Sequence, residues 1–403
     1  MVPYVRAFRV HDGNRQRLLE TINELGHKHA EDASTHDREG TVNRPLLDDL
    51  RNMGYLGAAV PRAFGGGGFR LVDLVLSQSV LAEHDPSTAL GVGMHHMVIG
   101  DEAQAMAWPA WRRKQLLRQV GAGELMLNVL ATEPLMGSPQ GHTPPATSIE
   151  RGSSGRWELS GAKSFSTFAP VLTHAVVYCS VGGGTGQVAR VLVPMGTEGV
   201  TIEQTWDTIG MRATESHDVH FDRVQIPDGD VLAIHQFTNR TTRPAMTPWF
   251  TLLVSAVYLG IARGALREAC QHAVQRASRT AAAPSTGPMS NLSQCYGRLL
   301  VAEAGLLSAA ATADAGLRPG TGLTSLEVAA KLEVARAAIE AVDLAVRSVG
   351  GSSLRRGSRL ERAWRDVRSA TVHPPSDTVA LDLLSGSAAS LVREDGRAAS
   401  FDR

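Results

Sequence analysis

The segment 365–386, RDVRSATVHPPSDTVALDLLSG, holds the side chain best suited to moving a proton, His373. An Arg-rich stretch that reads as a helix, RAWRDVRSA, runs up to it, and a second helical pattern follows two prolines. Neither proline can donate a backbone N–H, and each restricts the residue before it, so the first helix must stop there. His373 is therefore expected at a helix C-terminus, where the dipole's negative end favours the imidazolium. An imidazole so placed can give or take a proton near neutral pH. A solvated histidine that simply ends a helix fits the same residues.

Other residue types restrict the chemistry by what they lack. Cys179, Cys270 and Cys295 show neither CxxC nor Cys/His ligand spacing, so neither a disulfide framework nor a metal site is expected. Forty basic and forty acidic residues cancel, which points away from nucleic acid and anionic membranes as partners. Lysine occurs only at 28, 114, 163 and 331; coding bias explains the arginine excess first and anion binding second. The N-terminal stretch has no apolar run of signal-peptide length, and no later run approaches about 20 apolar residues. A cytoplasmic location is the simplest expectation.

The elements that must hold these residues fall into three regimes of a 403-residue chain, 43% hydrophobic and 5% aromatic. The first domain, 1–127, carries helical periodicity from residue 14 on, as in RQRLLETINELGHKHAED and LVDLVLSQSVLAEHD, with stops such as Gly54 and Pro61. Residues 128–232 change to short β-rich runs, among them RWELSGAKSF, THAVVYCSV and HDVHFDRVQIP, which suggests an antiparallel barrel or sandwich. Helices return over 233–403, with TAAAPSTGPMSN read as a loop between the first two. The fold class is α+β.

Five motifs in this order resemble the acyl-CoA dehydrogenase superfamily of flavoproteins across nearly the whole chain. They are GYLGAAVPRAFGGGGF with EHDPSTALGVGMHH, ATEPLMGS (131–138), SGAKSFST (160–167), WDTIGMRATESHDVHFDRVQIP (206–227) and VGGSSLRRGSRLERAWRD. The resemblance implies a helical N-terminal domain, a central antiparallel β domain and a C-terminal four-helix bundle. It further implies that Thr132 and Thr167 contact an isoalloxazine ring, that Phe165 walls one face of it, and that Ser138 lies near the phosphate arm. Read without the motif, Phe165 is an inward strand residue. Arg276 matches an arginine that reaches a partner subunit's FAD pyrophosphate, though ASRTAAAPS replaces the usual context; a solvated helix residue is the other reading. Val349, Gly350 and Gly351 match the glycine turn beside the adenylate.

The family's catalytic glutamate is missing from both of its usual places. The loop after Arg365-Asp366 reads Val372-His373-Pro374-Pro375, and the start of the last domain, MTPWFTLLVSAVYLG (246–260), contains no carboxylate. Proline cannot act as a base. A histidine in that loop resembles instead the flavin monooxygenases built on the same scaffold, of the dibenzothiophene monooxygenase type. Those take reduced FMN or FADH₂ from a separate reductase and form a C4a-hydroperoxyflavin with O₂. The resemblance then makes His373 the principal catalytic group, with Ser166 near the ring and one of His95 and His96 facing it. Adjacent helical residues point about 100° apart, and the family register favours His95; a satisfied core histidine is the competing reading. His217 is read as ordering a loop, and Arg212 as holding a carboxylate, the flavin edge or a loop.

The expectation is a flavin-dependent oxidoreductase acting on a small organic substrate, a monooxygenase ahead of an acyl-CoA (or carrier-bound acyl) dehydrogenase or oxidase with a non-standard base. FAD or FMN is the expected cofactor. A homodimer or homotetramer is expected, with the apolar stretch FTLLVSAVYLGIA at its interface. A non-catalytic binding module is the reading from another class, opposed by Thr132, Phe165 and Thr167.

Overall fold

The computed structural model describes residues 13–134, 143–153, 155–182, 185–237, 246–280, 286–316 and 322–398. Six helices come first: α1 (Gly13–Lys28), α2 (Ala30–Glu39), α3 (Arg44–Asn52), α4 (Leu71–Ala82), α5 (Pro86–Ala105) and α6 (Ala110–Gly121). The strands are β1 (Leu127–Leu130), β2 (Ser148–Arg151), β3 (Trp157–Lys163), β4 (His174–Val181), β5 (Gln187–Pro194), β6 (Val200–Glu203), β7 (Asp218–Ile226) and β8 (Val231–Gln236). Then come α7 (Pro248–Thr280), α8 (Thr286–Gly316), α9 (Ser325–Val349), α10 (Arg359–Asp366) and α11 (Asp377–Ala398). The order is helical, β, helical.

The strands form one sheet in the order β6-β7-β3-β2-β4-β5-β8, with β1 also on β4. The expected antiparallel pattern needs correction at one place. Both β1 and β2 run parallel to β4, β1 beside His174–Val177 and β2 beside Ser180 and Val181. They lie end to end along one edge, as an interrupted strand, and Thr132 and Glu133 lie in the excursion that follows β1.

α5 is the structural axis of the N-terminal half. Asp85 caps it by accepting from the Thr88 N–H at 2.9 Å, and Pro86 fills the first turn, where no N–H is needed. Every residue from Pro86 to Gly100 is buried, which explains why no apolar stripe marks this helix: it is surrounded. Two glycines permit the close approach. A Cβ on Gly91 would stand 2.2 Å from the Phe168 ring, and one on Gly100 2.3 Å from the Trp249 indole.

α7 packs against α4, α5, α8 and α9. Its apolar stretch is therefore consumed inside the chain, with Leu252, Leu253, Ala256 and Val257 fully buried, and is not left over for an oligomer interface as expected. Contrary to the expectation from unbroken apolar runs, segments Pro248–Ser278 and Met289–Gly316 are long and apolar enough to cross a bilayer. Of the most apolar 18 residues of the first, 89% are buried within the chain, so packing accounts for their composition. The stretch read as a loop is helical from Thr286, with Pro288 in the first turn, where a missing N–H costs nothing.

Candidate functional site

The ends of β1 and β3 are stitched together by a buried ion pair. Lys163 Nζ lies 2.7 Å from Glu133 Oε1, with both residues buried, and Glu133 also accepts the Ala146 and Thr147 N–H groups at 2.8 and 2.9 Å. Burial pushes the Glu133 carboxyl up, but the Lys163 hydrogen bond and charge outweigh it and leave it below its ordinary value. The Ser164 N–H donates to the Thr132 carbonyl at 2.9 Å, which sets Thr132 directly beside the loop that follows β3.

That loop is sharply shaped. Phe165 has a left-handed φ of 53° and is 63% exposed, edge-on to Trp206 with ring centroids 5.6 Å apart. It presents an aromatic face to solvent, so it is not the inward core residue of the alternative reading. Ser166 and Thr167 are buried. The Thr167 carbonyl accepts from Asn128 at 3.1 Å, and its hydroxyl accepts from Ser216 at 3.1 Å. The hydroxyls of Ser164 and Ser166 are buried without a partner. His217 orders this loop: its carbonyl accepts the Ser166 N–H and its Nδ1 accepts the Trp206 N–H at 3.1 Å. Arg212 holds the neighbouring loop through the Asp37 and Thr208 carbonyls.

A polar chain ties this region to the last domain. Ser216 shares a 2.8 Å hydrogen bond with Thr214, whose hydroxyl donates to the Met211 carbonyl at 2.8 Å. The Met211 N–H donates to Asp366 Oδ1 at 2.6 Å. Asp366 is fully buried, and burial followed by the nearby Asp37 charge pushes its carboxyl up to about 7.

His373 lies just beyond. α10 ends at Asp366, a 3-10 turn spans Val367–Thr371, and the His373 N–H donates to the Ser369 carbonyl at 3.2 Å. Its Nδ1 is hydrogen-bonded to the hydroxyl of Tyr258, a fully buried residue of α7. The imidazolium expected from a helix dipole is corrected here. Burial, then the Lys331 charge, lowers His373 to about 4, so the ring is neutral at pH 7. The Tyr258 hydroxyl is pushed well above its ordinary value by burial and the Asp366 charge, and stays protonated. A phenol is the stronger donor and an imidazole nitrogen the stronger acceptor. We therefore assign the proton between them to Tyr258, which leaves the His373 proton on Nε2.

The other expected residues divide. His95 is fully buried, accepts the Leu127 N–H on Nδ1 at 3.0 Å and meets the Leu56 carbonyl through Nε2 at 2.9 Å. With both nitrogens committed to backbone it has none to aim at a ligand, and the expectation that it assists catalysis is corrected: it pins α5 to β1. His96 instead has both ring nitrogens buried and unpartnered, edge-on to Tyr55 at 4.8 Å. Arg276 is exposed near the end of α7, and Val349, Gly350 and Gly351 are partly or fully exposed where α9 ends. Ser138 lies outside the described residues. Sequence reading missed Asp101 on α5. Burial raises its carboxyl to about 7, and the Thr247 side chain hydrogen-bonds it.

The residues fit a flavin. The two orphaned serine hydroxyls are unfilled groups of the kind a flavin's hydrogen-bonding edge takes, and Phe165 offers an exposed aromatic face. Among the described residues no cluster of His, Cys, Asp or Glu could hold a metal ion.

Comparison with known proteins agrees with this geometry. Residues 13–124, 128–224 and 252–377 match the acyl-CoA dehydrogenase N-terminal, middle and C-terminal domain families in turn. YdbM of Bacillus subtilis, whose name assigns it to the acyl-CoA dehydrogenases, is 31% identical over 388 residues, 94% of this chain and 98% of the relative. Amino sugar nitrososynthase DnmZ of Streptomyces peucetius is 29% identical, covering 92% of each chain. The structure of KijD3 with FMN and dTDP-3-amino-2,3,6-trideoxy-4-keto-3-methyl-D-glucose superposes with a TM-score of 0.82 at 27% identity, over 95% of both chains. The chain belongs to the acyl-CoA dehydrogenase family.

Proposed function

We propose that this chain is a flavin-dependent oxidoreductase and, within that class, a monooxygenase that uses reduced flavin and O₂ on a small organic substrate. One observation carries the reading: where dehydrogenases of this fold carry a carboxylate base, the chain places a neutral histidine buttressed by Tyr258. Bound reduced flavin would supply the electrons that activate O₂. Thr132, Phe165, Ser166 and Thr167 are the residues to hold it. His373 Nε2–H is a donor for negative charge that develops on oxygen, and α5, buried from Pro86 to Gly100, helps exclude water. The similarity to nitrososynthases and to an FMN-bound structure supports FMN ahead of FAD; a separate reductase would deliver the reduced flavin.

The test needs no substrate. Purified protein mixed anaerobically with reduced FMN and then pulsed with O₂ should slow flavin reoxidation and peroxide release relative to free FMN. Tight oxidised FAD on the purified protein, bleached anaerobically by butyryl-CoA, would instead establish a dehydrogenase. Asp101 is a candidate base for that second reading, a carboxyl raised to about 7 by burial and hydrogen-bonded to Thr247 just before α7. Asp101→Asn should then abolish the bleaching.

A further inference from the structure

Four elements bring basic side chains to one corner of the molecule. α1 contributes His27, the turn between α4 and α5 contributes His84, α7 contributes Arg267, and α10 contributes Arg359 and Arg362. The His27 and His84 rings lie 4.4 Å apart. Arg362, 5% exposed, donates through Nη2 to the His84 carbonyl at 2.8 Å, while its Nη1 is buried without a partner. Arg359 Nη2 is likewise buried and unpartnered.

Glu268 acts on Arg359 through its charge, and the other acids nearby are already engaged. Arg263 reaches Glu83 at 2.9 Å and Glu303 at 2.8 Å, and Arg267 takes the other Glu83 oxygen. Among the described residues no ion pair reaches Arg359 or Arg362. The excess positive charge shows in its effects: burial, then the Arg362 charge, lowers Arg359, and burial, then His27 and the arginines, drives His84 down to about 3. Arg359 also opens α10, whose N-terminal dipole end adds to the same field. His27 is exposed and Arg359 half-buried, so the corner opens to solvent. Like-charged guanidinium groups with unfilled donors are costly to bury unless an anion meets them.

We propose that this corner is an oxyanion-binding site of the phosphate class, with Arg359 and Arg362 as its primary donors and Arg267 at its rim. It is independent of the flavin reading. The arginine-rich run from Arg355 to Arg368, which the proposed reaction leaves unused at its N-terminal end, acquires a purpose in this way.

Thermal unfolding of the full chain at pH 7.5, in potassium phosphate against potassium chloride of equal ionic strength, tests it. The midpoint should rise saturably with phosphate, and calorimetry should give one phosphate per chain. Arg359→Gln should abolish the rise while leaving the midpoint in chloride unchanged or higher. Arg362→Gln should weaken phosphate binding at least 10-fold; if losing its bond to His84 prevents folding, Arg359→Gln alone decides. Pyrophosphate binding more tightly than phosphate would point to a diphosphate-bearing ligand, and the reverse to a single phosphate group. A rise of equal size in wild type and Arg359→Gln, or none in either, overturns the proposal.

Discussion

In the proposed reaction Tyr258 and His373, joined by a hydrogen bond, would act as a unit, because neither could do its part alone. The phenol fixes which imidazole nitrogen bears the proton, and burial keeps the ring neutral. His373→Ala removes the donor itself, and loss of a general acid–base group typically costs about 10²–10⁴-fold in rate. Tyr258→Phe removes one hydrogen bond, about 0.5–1.5 kcal/mol, and so roughly a 2- to 13-fold effect. Peroxide released per reduced FMN consumed should rise strongly in the first variant and modestly in the second; equal effects would mean that Tyr258 is itself the donor. His373 was legible in the sequence because two prolines mark its loop. Tyr258 was not, since the contact spans 115 positions and nothing local to a buried helical tyrosine announces it. His95 and His96 were legible only as a pair. Which ring meets backbone and which is left without partners depends on the rotation of α5 against β1.

Between elements, the Glu133–Lys163 pair converts two strand ends into one platform for Thr132 and Phe165. The acid and base of the T-E-P and G-x-K motifs serve the scaffold, and in the proposed reading the hydroxyl and aromatic residues next to them would serve the ligand. Breaking a buried ion pair by removing one partner costs about 3–5 kcal/mol, because the other charge stays buried. Lys163→Met should therefore lower the unfolding free energy by about that amount and weaken FMN binding, whereas Lys163→Met with Glu133→Gln should recover part of the loss. Urea unfolding and flavin fluorescence titration read both; full additivity of the two changes would show that the side chains do not act as a pair. Runs of alternating residues revealed the strands, but not that β1 and β2 share one edge of β4, because the register of non-local strands is set by tertiary packing. The apolar run of α7 was visible, yet its burial within the same chain was not: composition does not say which surface will cover a helix.

Taken over the whole fold, buried titratable groups pull stability in opposite directions with pH. His84, His95 and His373 are lowered to about 3, 4 and 4, in each case chiefly by burial. Below their ordinary value of 6.5 the unfolded chain takes up protons that the native state refuses, so the stability these groups contribute is lost as pH falls from about 6.5 toward 4. Asp101 and Asp366 are raised to about 7 from 3.8. Between those values the native state holds protons that the unfolded chain releases, so their contribution is full below 3.8 and lost as pH rises through 7. Each group carries a slope of at most about 1.4 kcal/mol per pH unit. Asp366→Asn keeps an oxygen for the Met211 N–H but removes one titration. The variant should be more stable than wild type at pH 8, and its advantage should shrink by about 1.4 kcal/mol per unit as pH falls from 7 toward 5. Urea denaturation followed by circular dichroism at pH 8, 7, 6 and 5 measures this directly. Parallel curves for the two proteins would mean that Asp366 is ionised in the native state throughout, and that the chain from Thr167 through Met211 ends on a fixed negative charge.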